Sequence, residues 1–303
     1  MTANTVLSDI NEIQTGYFLN GEKWFDKEAM AQFNMRAKQA TPAEVADAIG
    51  KARAMAEEFR MWAKANKYSG TVKHVWWTAR PGSMSGAVGY PVDQKKNPTD
   101  ILVRFTSGPC DGFLGLSAKA TQGSGDIGFK NPGLGTIDRN LKIKLGEDYA
   151  EQLKKTITAF ALPESSEKRK AHIRANAGIK QKTEAIGVKV LASMRDKLMV
   201  RLLKFKQPEL ASYLVSDWMD AEILKPPYIK VTGQGNKEPY RAVAMDPTKN
   251  EKLSALGKYK ITLEKVGNES IGVKAGEKKI MKIRFKFESE KMASSVKLSG
   301  DPW

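Results

Sequence analysis

The chain of 303 residues is poor in the residues that build soft-metal and disulfide sites. A single cysteine, Cys110, excludes an intrachain disulfide and any cysteine-based zinc cluster. Two histidines, His74 and His172, are too few for a His-rich metal centre. Any bound metal is therefore expected to be a hard ion held by oxygen. No apolar run approaches the ~18 residues of a membrane span. The opening MTANTVLSDINEIQ is acidic and lacks the pattern of a signal peptide. These absences lead us to expect a soluble protein of a reducing compartment, the cytoplasm, or the host cytoplasm if a phage encodes it.

What the sequence has in excess is positive charge. Fifty Lys+Arg face 34 Asp+Glu, a net charge of +16 and a pI near 9.6. That balance points to a polyanion, most simply nucleic acid. Hydrophobic residues make up 41%, which argues against wholesale disorder. The length suits about two domains at ~100–200 residues each.

Along the chain, residues 1–40 are mixed in pattern. Thr41-Pro42 then opens a strong helix with a capping box: Thr41 as N-cap, Pro42 at N1 and Glu44 at N3. Val45, Ala48, Ile49, Ala52, Met55, Ala56, Phe59 and Ala63 form one apolar stripe that carries it to about Asn66. Strands are expected at 71–80, 99–105 and 113–120, with a long loop at 81–98 and a glycine-rich stretch at 121–135. Residues 136–225 read as mainly helical. Residues 228–303 switch to period two, with strands at 258–266, 270–275 and 278–287. In the last, Lys282, Arg284 and Lys286 share one face and Ile283, Phe285 and Phe287 the other. Residues 226–303 hold 16 Lys+Arg against 9 Asp+Glu, which makes this region a candidate surface for a nucleic-acid backbone.

The pattern most suggestive of chemistry is Pro98-Thr99-Asp100 followed by Ser117-Ala118-Lys119. Asp100 opens one apolar strand and Lys119 lies near the end of the next, so a tight hairpin sets them side by side. A carboxylate beside a lysine at the lip of a sheet suits phosphodiester cleavage. The carboxylate holds Mg²⁺, and the lysine orients water and offsets charge in the transition state. The glycines at 123, 125, 128, 133 and 135 form no P-loop, because no Gly-Lys-Ser/Thr follows. They suit either a tight connection or close approach to a phosphate, with Lys130 beside it. His74, Trp76 and Trp77 read as strand residues. Cys110, in a turn, lacks the partners of a nucleophile.

Pro-x-Asp at 98–100 with Ser-x-Lys at 117–119 resembles the PD-(D/E)xK nuclease superfamily, which includes many restriction enzymes and Holliday-junction resolvases. The family core is a helix, a three-stranded meander, a helix and a further strand, and residues 41–158 fit that order. The implied fold is α+β. A restriction-endonuclease-like αβββα core over 1–160 would be followed by a helical region over 161–225 and a β-rich basic DNA-binding domain over 226–303. The implied activity is Mg²⁺-dependent (or Mn²⁺-dependent) hydrolysis of double-stranded DNA, by a restriction-type or phage-type enzyme. Symmetric cleavage implies a homodimer or sequential nicking.

One position departs from the family pattern. The acid expected two residues before the lysine is Ser117, a poor Mg²⁺ ligand. The resemblance then implies a carboxylate from another element. Glu44, about 80° from the centre of its helix's apolar stripe, is the first candidate. Asp126 is the alternative and Asp93 a weaker donor. On this reading Asp100, Ser117, Lys119 and Glu44 are the catalytic set. Asp100 with Glu44 or Asp126 binds metal, and Lys130, Lys282, Arg284 and Lys286 contact DNA. The rival reading is a non-catalytic nucleic-acid-binding protein with a degenerate nuclease core. A third is an assembly protein whose basic surface meets an acidic partner.

Overall fold

The computed structural model describes residues 4–94, 96–122, 129, 131–219 and 223–303. It is a mixed α+β structure with two separate sheets. No helix among the described residues is long and apolar enough to cross a membrane. The chain divides into two compact units. One comprises Met1–Ile127 and Glu222–Asn250, the other Gly128–Ala221 and Glu251–Trp303.

In the first unit, α1 (Asn4–Leu19), α2 (Lys27–Ala37) and α3 (Pro42–Ala65) precede β1 (Ser69–Trp77). The capping box of α3 forms as its sequence requires. Thr41 accepts from the Glu44 N–H, and Glu44 Oε2 accepts from the Thr41 N–H at 2.9 Å. The apolar stripe of α3 is buried from Ala48 through Met55 and Phe59 to Ala63. Residues 1–40, which carry no clear pattern, form two helices. Val6, Ile10 and Ile13 are buried on α1 at helical spacing. The stretch expected as a long loop contains a short helix, α4 (Ser83–Val88).

Strands β1, β2 (Ile101–Ser107) and β3 (Phe113–Thr121) form an antiparallel meander. Two further strands, β4 (Tyr228–Gln234) and β5 (Arg241–Met245), complete a five-stranded sheet in the order β1-β2-β3-β4-β5. β4 runs parallel to β3, and β5 antiparallel to β4. Alternation decides the faces. Ile101, Val103, Leu114, Leu116, Ile229 and Val231 pack with α1 and α3. Leu102 and Phe113 turn the other way, against Met84 of α4.

The second unit holds α5 (Leu134–Leu141), α6 (Leu145–Ala159), α7 (Ser166–Ala175), α8 (Ala177–Leu202), α9 (Gln207–Asp217) and α10 (Glu251–Lys258). It also holds an antiparallel sheet of β6 (Ile261–Val266), β7 (Ser270–Ala275), β8 (Lys278–Phe287) and β9 (Val296–Pro302). Ile283 and Phe285 of β8 are fully buried, as the period-two pattern requires.

This division replaces the three consecutive segments 1–160, 161–225 and 226–303 expected from sequence. The reason is the β3–β4 pairing. It returns residues 228–245 to the first sheet, so the helices between β3 and β4 lie within an excursion of the chain.

Candidate active site

The backbone around Asp100 is pinned before any side chain acts. Asn97, 3% exposed, sets up the approach: its Oδ1 accepts from the Thr99 N–H (3.2 Å) and from Thr99 Oγ1 (2.7 Å). The other end of the Asn97 amide donates to the Pro226 carbonyl at 3.0 Å. Thr99 then packs against Gly115, where a Cβ would lie 2.1 Å from Thr99 Oγ1, so only glycine lets β2 and β3 close at this level. The Asp100 N–H donates to Leu116 O at 2.9 Å, and Thr78 N–H donates to Asp100 O at 3.1 Å. Thr78 Oγ1 also donates to the Thr99 carbonyl. Both backbone groups of Asp100 are therefore satisfied, and its side chain has a fixed origin.

The hairpin brings the expected residues together. Asp100 Oδ2 accepts from the Ala118 N–H at 2.8 Å, from Ser117 Oγ at 3.3 Å and from Lys119 Nζ at 3.3 Å. Three donors thus converge on one oxygen of Asp100. The Lys119 side chain is 51% exposed and that of Asp100 23%, so the pair faces solvent. Ser117 is fully buried. Its hydroxyl orients Asp100 where the family pattern would place a second acid. Burial pushes the Asp100 carboxyl up, while the Lys119 charge and the Ala118 N–H pull it down.

A further carboxylate acts on this pair from α1. Glu12, on α1, accepts a hydrogen bond at Oε2 from Trp77 Nε1 at 3.0 Å. Its pKa is pushed up to about 8, first by burial and then by the negative charge of Asp100. The Trp77 N–H and the Lys119 charge oppose the rise, and Asp9 adds to it. Glu12 thus senses both members of the Asp100–Lys119 pair. The stripe Val6, Ile10, Ile13 and Tyr17 is spaced for a helix, but Glu12 lies about 130° from its centre, so the pattern gives no signal for it. Lys230 was also missed. It is 2% exposed and stands in register with Ser117 on the neighbouring β4.

The remaining expected residues lie elsewhere. Glu44 is engaged in the capping box, with Oε2 also accepting from Thr41 Oγ1 at 2.9 Å. The competing demand is local: a helix N-terminus supplies unsatisfied N–H groups within reach of that carboxylate. Asp93 lies in the loop after α4, where its carbonyl accepts from the Lys96 and Asn97 N–H groups. Asp126 and Lys130 fall outside the described residues, as do the glycines at 123, 125 and 128. Lys282, Arg284 and Lys286 belong to the second unit. Among the described residues no group of three or more His, Cys, Asp and Glu side chains is placed to hold a metal. No protein-family model matches the sequence, and no curated protein matches it.

Proposed function

We propose that the first unit is a Mg²⁺-dependent endonuclease of the PD-(D/E)xK type, which hydrolyses DNA phosphodiester bonds. The observation that carries this reading is the Asp100–Lys119 pair at 3.3 Å, with the Glu12 carboxylate of α1 near enough for both charges to act on its ionisation. The element order supports it: a capped helix, a three-stranded meander and a further strand joined to β3. The helix expected near 147–162 is α6, which belongs to the second unit, so the chain departs from the family core there.

The donor set fits a hard divalent ion. Two carboxylates whose charges act on each other repel, and a cation relieves that repulsion. Mg²⁺ is commonly held by one or two protein carboxylates, with waters and substrate phosphate completing its shell. Asp100 and Glu12 would hold it, and Mn²⁺ suits the same oxygens. When bound, the ion would polarise the phosphoryl group and lower the pKa of a coordinated water. The chain's own residues do the positioning. Ser117 and the Ala118 N–H fix Asp100, and Trp77 fixes Glu12. Lys119 is near enough to orient the attacking water and to offset charge at the phosphate.

The test is nicking of supercoiled plasmid with Mg²⁺ against EDTA. Wild-type protein should nick only with the metal, and Lys119→Ala should lose about 10²–10³-fold in rate. Equal rates for that variant would remove Lys119 from the mechanism. A gel shift without nicking in Mg²⁺ or Mn²⁺ would overturn the nuclease reading and leave a non-catalytic nucleic-acid-binding protein. Glu44→Ala is the contrasting variant. It should lower stability by about 1 kcal/mol through loss of half a capping box, with plasmid nicking unchanged. A nicking defect with an unaltered melting temperature would restore Glu44 to the site.

A further inference from the structure

We infer that the outer face of the β6–β9 sheet binds the phosphate backbone of nucleic acid along β8, through Lys279, Lys282 and Lys286. This inference concerns the second unit and goes beyond the chemistry at Asp100.

The sheet sorts its cations into two sets. Four are neutralised within the unit. Lys274 pairs with Glu264 at 2.6 Å, Arg284 with Asp301 at 3.1 Å and Lys265 with Asp196 at 3.0 Å, and Lys297 pairs with Glu288. Lys278, Lys279, Lys282 and Lys286, all on β8, make no ion pair among the described residues; Asp301 stands opposite Lys282 in the register but pairs with Arg284. Arg284, grouped with them by sequence, is thereby reassigned: its charge is already met by Asp301.

Two local features mark the cations of this face. Lys286 stands directly opposite Lys297 in the β8–β9 register, and Glu288 neutralises Lys297 and leaves Lys286 without an acid across the ladder. Lys279 Nζ lies 4.6 Å from the centre of the Trp303 ring, and Lys274 Nζ 5.4 Å from it. The indole in turn rests on Gly272, where a Cβ would lie 2.6 Å from the ring. The glycine thus allows an aromatic ring to lie flat on the sheet, with two ammonium groups held at it. Lys282 and Lys286 both project from the outer side of β8. Lys282 and Lys286 are four residues apart, about 13–14 Å along the strand at ~3.4 Å per residue. Cations set along one rigid strand suit the successive phosphates of a nucleic-acid backbone.

Binding of a short fluorescein-labelled duplex, and of the matching single strand, to the full-length protein in EDTA tests this. The triple variant Lys279→Ala, Lys282→Ala, Lys286→Ala should bind about ten-fold or more weakly. Its slope of log K against log salt should be shallower by about 0.9 per lysine on duplex, or about 0.7 per lysine on single strand. The triple Lys→Arg variant should retain the wild-type slope, which separates lost charge from lost fold. Unchanged affinity and slope in the alanine variant on both probes would overturn the inference. So would an equal loss in the arginine variant. The outcome is separable from the nuclease reading, because binding is measured in EDTA, where metal-dependent nicking plays no part.

Discussion

Replacing Glu12 by Gln should abolish metal-dependent nicking and at the same time stabilise the metal-free protein at pH 8. Both effects follow from one placement. Glu12 is pushed up to about 8 by burial and by the charge of Asp100, from an ordinary value near 4.5. Between those pH values the folded chain keeps a proton that the unfolded chain has released. Stability therefore falls as pH rises through that window, and is fully present only below the lower value. A shift of this size corresponds to a few kcal/mol at most. Gln keeps an oxygen to accept from Trp77 Nε1 and never ionises, so its melting temperature should not decline across the same window on this account. At pH 8 the variant should melt higher than wild type, by roughly 2–4 °C for each kcal/mol recovered. Mg²⁺ should raise the wild-type melting temperature and leave the variant nearly unmoved, because ligand binding stabilises only the state that binds. Thermal melts from pH 5 to 8.5, with and without Mg²⁺, measure all of this. Parallel wild-type and variant curves would show that Glu12 is not held protonated. Wild-type nicking by the variant would remove it from the metal site.

The parts of this site that were legible in the sequence are those fixed by local rules. Thr41, Pro42 and Glu44 specify a helix start within four residues, and it forms there. The alternating run from Ile101 and the glycine-containing run 113–120 specify a hairpin, which places Lys119 on Asp100. Glu12 was not legible because its role is set by a residue 88 positions along the chain and by an indole at Trp77. A one-dimensional pattern shows that a helix has a polar side, but not what that side meets. Glu44 illustrates the opposite error. Its residue type and position suited a metal ligand, yet the nearest unsatisfied donors belonged to its own helix. β4 and β5 escaped for a topological reason, since the partner of β4 is a strand more than a hundred residues earlier. The basic face of β8 was legible as a face. Which of its cations are already neutralised depends on Asp301, which the β8–β9 register sets opposite Lys282 and which pairs with Arg284.

Asp100→Asn should remove cleavage and leave nucleic-acid binding intact or tighter. The substitution is chosen because Asn retains an oxygen that can still accept from the Ala118 N–H, now bonded at 2.8 Å to Asp100 Oδ2. Asp100→Ala would instead strand that donor and the Ser117 hydroxyl, which is fully buried, at a cost of about 1–3 kcal/mol for each group left unmet. Asn therefore tests charge with little change of structure. Two consequences should follow together. The proposed metal set loses a formal charge, and nicking should fall by about 10²–10³-fold or more. Lys119 loses its ion pair at 3.3 Å and gains freedom toward a phosphate, so affinity for duplex should hold or rise slightly, measured in EDTA at fixed salt. Glu12 loses the second largest influence on its ionisation and should titrate lower, which a reduced pH dependence of melting would reveal. A variant that nicks as wild type does would refute the Asp100–Glu12 site. One that loses both nicking and binding while remaining folded would mean that Asp100 acts on the substrate by a route other than metal. Loss of cleavage with binding kept, together with a flatter pH profile, would tie Asp100, Glu12 and Lys119 into one electrostatic unit.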